Sequence, residues 1–137
     1  MKTKENRTNS ALLRRLVDAL DADPRILAAY VHGSFGRASF RGDSDLDCAL
    51  LLYPGQTMSA TERLHLAGEL SGRLAIPVDM GELTTRNLIY FVESVHNGQR
   101  ILCRSDSLAD ALVGRAFSLY ARLKEDRREV EASYYAA

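Results

Sequence analysis

A chain of 137 residues with 46% hydrophobic and 26% charged side chains has the proportions of one globular domain, taken here as residues 1–137. Eighteen basic residues balance eighteen acidic ones, so the chain lacks the positive excess that grips an extended nucleic acid by its phosphates. No apolar run approaches a membrane span, and the polar start "MKTKENRTNS" has no signal-peptide core behind it, so a cytoplasmic protein without a membrane partner is expected.

In chain order, "SALLRRLVDAL" places Leu12, Leu13, Leu16, Val17 and Leu20 at helical spacing, with Ser10 as the expected N-cap. "RILAAYVHG" reads as a buried strand stopped by Gly33. "DLDCALLLY" reads as a second strand, closed by Pro54 and Gly55. Ser59 and Glu62 have capping-box spacing and open a helix that runs to about Leu74. "AIPVDMGEL" is a third strand, and Pro77 marks it as an edge or a strand start. "TTRNLIYFVESVHNG" is a helix with Leu88, Ile89, Val92 and Val95 on one face and Gly98 at its end. "QRILC" is a short strand. From Ser105 a long C-terminal helix follows, with Leu108, Ala111, Leu112, Leu119 and Leu123 as its apolar stripe and a charged, fraying end. The order predicts an α/β or α+β domain, one sheet packed by helices.

Cys48 and Cys103 lie in apolar runs without metal-ligand spacing and read as reduced thiols. His65 and His96 read as surface residues, His32 as a strand-end structural residue and Asp43 as part of a turn.

The chemistry sits between the first two strands, in "HGSFGRASFRGDSDLD". Strand side chains alternate, so Asp45 and Asp47 share one face while Leu46 and Cys48 point into a core. Paired carboxylates repel unless a cation lies between them, and oxygen ligands suit Mg²⁺ or Mn²⁺. Gly33 lets the backbone turn close to a ligand. Ser34 and the N–H groups after it can face a phosphate, and Arg37 offers a planar fork to the same oxygens. A phosphate cradle and a metal pair, ten residues apart, make one composite site. Asp79, inside an apolar run on its own strand, is the third carboxylate; it is expected to be buried and therefore to need a cation or donor partner.

This pattern, Gly33-Ser34, ten residues, Asp45-x-Asp47 and a later Asp79, resembles the DNA-polymerase-beta-like nucleotidyltransferase superfamily, and the short length resembles its minimal (MNT) branch. In many minimal members a glycine follows the loop arginine; here Ala38 stands there and Gly36 precedes Arg37. The resemblance implies a mixed β-sheet flanked by helices. It implies transfer of AMP from ATP with loss of pyrophosphate, Asp45 and Asp47 holding the metals, and Asp79 ligating the second metal and helping to deprotonate the attacking hydroxyl. It further implies an antitoxin that modifies a tyrosine of a HEPN-type RNase toxin. Two other readings share these residues: an antitoxin that neutralises by occlusion, and a small-molecule nucleotidyltransferase completed by a second copy of the chain.

Overall fold

The computed structural model describes residues 4–32 and 45–136. Helix α1 (Lys4–Asp21) leads into strand β1 (Ile26–His32), and β2 (Leu46–Leu52) follows. Helix α2 (Ala60–Leu74), strand β3 (Val78–Glu82), a 3₁₀ turn (Thr85–Asn87) and helix α3 (Leu88–Asn97) come next. Strand β4 (Gln99–Cys103) and the 31-residue helix α4 (Asp106–Ala136) complete the chain. The order of elements is the one the sequence predicts.

The four strands form one sheet in the order β3-β2-β1-β4. β1 runs antiparallel to β2 and β4, while β2 and β3 run parallel, so the sheet is mixed. Parallel neighbours need a crossover, and α2 supplies it. The capping box predicted at its start is present: the Ser59 hydroxyl accepts from the Glu62 N–H at 3.1 Å, and the Glu62 carboxylate accepts from the Ser59 N–H at 3.4 Å. β3 takes the sheet edge, as Pro77 indicates.

The sheet separates two apolar cores. On one face Leu16 and Leu20 of α1 and Ala67, Leu70 and Leu74 of α2 pack on Val31, Leu46, Cys48, Leu50 and Met80. On the other, Phe91 of α3 and Ala109 and Ala116 of α4 cover Leu27, Tyr30, Ala49 and Leu51. Both faces of β1 and β2 are thus buried, which is why their sequences are nearly continuous apolar runs. Arg100 of β4 donates to the Tyr30 hydroxyl at 2.9 Å and pairs with Asp110 at 2.9 Å, joining β1, β4 and α4.

Three local expectations are corrected. Ser10 lies inside α1, which begins at Lys4, because the polar residues before it continue the helix. On α3 it is Phe91 and Val92 that are buried, while Ile89 is 44% exposed. On α4, Leu108 and Leu112 of the stripe read in the sequence pack on the second core, but the fully buried residues are Ala109 and Ala116, and Ala111 is exposed. The end of α4 stays helical to Ala136, with Val130, Tyr134 and Tyr135 largely exposed.

Candidate active site

Strand register sets two of the carboxylates, Asp47 and Asp79, side by side at one end of the sheet. Leu46 and Cys48 point into the first core, so Asp47 faces the side covered further along by α3. In the parallel pair Asp47 stands beside Asp79, and in the antiparallel pair it stands beside His32. The Leu46 N–H donates to the Pro77 carbonyl at 2.8 Å just before this pairing, which locks the register. Ser71 on α2 fixes β3 from the other side. Its hydroxyl accepts from the Val78 N–H at 2.9 Å and donates to the Ala67 carbonyl at 2.7 Å. Asp79 is the next residue.

Asp47 is half-buried, whereas Asp45 is exposed just before β2. Asp79 is exposed as well, which corrects the expectation of a buried carboxylate: edge position gives its side chain access to water although its neighbours Val78 and Met80 pack inward. Burial pushes the Asp47 acid up from its ordinary range; His32 opposes this, and the charges of Asp79 and Asp45 add to it. The mutual repulsion is the electrostatic signature of a place that favours a cation.

Among the described residues, no group of three or more His, Cys, Asp and Glu side chains is gathered so that it could hold a metal ion. In kind the donor set of Asp45, Asp47 and Asp79 suits a hard divalent ion: oxygen ligands only, two of the three solvent-accessible. Gly33, Ser34, Arg37 and Asp43, the predicted phosphate cradle and turn, lie outside the described residues. His32, the residue before Gly33, has a buried Nε2 with no hydrogen-bond partner among the described residues. His65 and His96 are exposed on α2 and α3, as expected. Cys48 and Cys103 are free, and burial pushes the Cys48 thiol up to about 12.

The sequence reading missed Tyr90 and Gly81. Tyr90 is carried in the first turn of α3, where the Asn87 side chain accepts from its N–H at 3.3 Å. Its ring meets His32 edge-on with centroids 6.0 Å apart. Its hydroxyl lies over Gly81 so closely that a Cβ built there would be 2.0 Å away. Gly81 is two residues beyond Asp79, on the same face, and pairs with the small Ala49. The available signal was a glycine two positions past a candidate ligand inside a strand, which marks a close approach.

The mixed sheet thus carries Asp47 in register with Asp79, with Asp45 two residues before Asp47. The family model "Polymerase beta, Nucleotidyltransferase" matches residues 14–107, and the chain belongs to that family. No curated protein matches it in sequence. Its fold is shared with a chain from a crystal structure of a toxin-antitoxin with AMP-PNP, 21% identical, with a TM-score of 0.71 over 90% of this chain and 98% of that one. It is shared equally with a chain of the tri-AMPylated Shewanella oneidensis HEPN toxin in complex with MNT antitoxin, 20% identical, with a TM-score of 0.69 over 93% and 98%. A chain of the toxin-antitoxin MntA-HepT is 19% identical, with a TM-score of 0.68 over 92% and 98%.

Proposed function

We propose that this chain is a metal-dependent adenylyltransferase that moves AMP from ATP to a tyrosine hydroxyl of a HEPN-type toxin, and so acts as its antitoxin. The observation that carries the reading is the register of Asp47 with Asp79, with Asp45 two residues before Asp47. Family membership supports the reaction class. Likeness of fold to chains from toxin-antitoxin structures, one with AMP-PNP and one with a tri-AMPylated HEPN toxin, supports the nucleotide and the partner.

In this reading Gly33, Ser34 and Arg37 hold the triphosphate. Asp45, Asp47 and Asp79 hold Mg²⁺ or Mn²⁺, which when bound supplies the positive charge that offsets charge developing on the phosphate oxygens. The acceptor oxygen attacks the α-phosphorus, the bond from that phosphorus to the bridging oxygen breaks, and pyrophosphate leaves. Asp79 helps to take the hydroxyl proton, and its exposure at the sheet edge supports that role. The test is transfer from α-labelled ATP with and without the product of the neighbouring gene, in Mg²⁺ and in excess EDTA. Label on a partner tyrosine in Mg²⁺ alone is the expected result. Full activity in EDTA, or label on no protein, overturns it.

Neutralisation by occlusion has its own support in α4, where Val130, Tyr134 and Tyr135 are 69%, 78% and 83% exposed. Large apolar and aromatic side chains in the open fit a protein-binding surface. This reading holds if the complex forms and silences the partner without label.

A further inference from the structure

The Tyr90 phenol is neither core nor surface. Its ring is carried by α3, meets His32 of β1, and reaches over β2 to end on Gly81 of β3. It therefore lies across the sheet immediately behind Asp47 and Asp79. Burial pushes its phenol up from the ordinary value, Ser94 opposes this, and the charges of Asp79 and Asp47 add smaller upward contributions.

Three features make this placement specific. Gly81 is the only residue type that leaves room for the hydroxyl on the strand, since any Cβ would stand 2.0 Å from it. Ala49, paired with Gly81, keeps the middle of the path low. Beyond the ring opens a cleft of about 340 Å³ at the outer edge of β3, lined by Arg63, Gly81, Glu82, Arg86, Asn87 and Tyr90 among others. Tyr90 and Gly81 line that cleft, and Asp79 stands two residues before Gly81 on the same face of β3.

The sides of the site differ. The segment read as the phosphate cradle follows β1, and Asp79 stands two strands away, on β3. The hydroxyl end of Tyr90 is on the β3 side. We infer that Tyr90, seated on Gly81, is a positioning residue for the acceptor: its phenol aligns the incoming hydroxyl beside Asp79, and the cleft with Arg63 and Arg86 takes the chain segment that carries it. The inference rests on the proposed transfer reaction and adds to it which side of the site receives the acceptor.

The test uses the full chain carrying an NMR-active carbon at tyrosine Cζ, with Mg²⁺ and α,β-methylene-ATP as probes. The Tyr90 resonance is identified by its loss in Tyr90→Phe. It is expected to shift on addition of the two probes, while those of Tyr134 and Tyr135 stay in place; an unmoved Tyr90 resonance would overturn the inference. In transfer assays Tyr90→Phe is expected to lower kcat/KM for the partner about tenfold, one hydrogen bond's worth, with the affinity for α,β-methylene-ATP and the melting temperature unchanged. Wild-type transfer by Tyr90→Phe, or a tenfold loss of analogue affinity, counts against an acceptor role. Gly81→Ala displaces the ring and should lose as much as Tyr90→Ala, and the double variant no more than either. Additive losses would overturn the seat on Gly81. Wild-type protein whose Tyr90 resonance shifts but which labels no partner removes the antitoxin reading and leaves Tyr90 in the site. Wild-type protein that labels its partner while Tyr90→Phe does so equally removes only the inference.

Discussion

Ser71 of α2 holds the first residue of β3, Val78, by a 2.9 Å hydrogen bond from the Val78 N–H to its hydroxyl, one residue before Asp79. The third carboxylate is thus placed by a helix on the opposite face of the sheet. Ser71→Ala leaves that N–H without its partner, which costs about 1–3 kcal/mol where the group is shielded from water. The expected outcome is a lowered melting temperature together with weaker transfer, because this bond ties the start of the edge strand to α2, in addition to its ladder with β2. Unchanged melting would show that the strand is held by Pro77 and its ladder alone.

Substitution of the carboxylates should separate chemistry from folding. Asp47→Asn and Asp79→Asn are expected to reduce transfer by several orders of magnitude. A carboxyl whose pKa is raised in the folded state adds stability at low pH that is lost as pH rises, so charged Asp47 opposes folding at neutral pH. Asp47→Asn should therefore melt no lower than wild type at pH 7 in the absence of divalent ions. A clear loss of stability there would return Asp47 to a structural role.

The turn between α1 and β1 predicts an acid limit of the opposite sign. Arg25 donates to both oxygens of Asp23, at 3.1 and 2.9 Å, and also reaches Glu62 at the start of α2. The Arg25 guanidinium holds the Asp23 acid below its ordinary value of 3.8. The stabilisation is present above that value and is lost as pH falls through the lower folded value. Urea titrations at a series of pH values should show stability falling below about pH 4 less steeply in Asp23→Asn than in wild type. Equal slopes would mean that the pair is open in solution.

Much of the fold was legible because β1 and β2 are buried on both faces and α2 carries its own start signal in Ser59 and Glu62. The paired Asp45 and Asp47 were legible from period-two alternation. Exposure of Asp79 was not, since an apolar run looks the same in an edge strand, where the polar side chain turns outward, and in a central one. Helix phase was misread at Ile89 and Ala111 because both helices carry apolar residues on more than one face, and only the sheet they lie on decides which is covered. Tyr90 escaped for a related reason. Its contact with Gly81 exists only once α3 has folded back onto the sheet, a fact of topology and not of spacing.

The last turns of α4 give a prediction about binding. From Lys124 to Ala136 every described side chain is exposed, so this segment adds little to the cores. Deletion of Arg127 to Ala137 should leave the melting temperature and α,β-methylene-ATP affinity as they are, and weaken the complex with the partner measured by calorimetry. Undiminished affinity would remove the tail from the docking surface.

Cys48 stands between Asp47 and Ala49 with its thiol sealed in the core, and Cys103 on β4 is only half-buried. A thiol held to about 12 carries almost no thiolate at neutral pH and is closed to alkylating reagents. The two sulfurs therefore divide into a handle and a seal. Burial and Asp106 also push the Cys103 thiol up, so a maleimide dye marks β4 slowly but first, and entry of a second dye reports the moment at which β2 comes apart, carrying with it the strand on which the reaction is built.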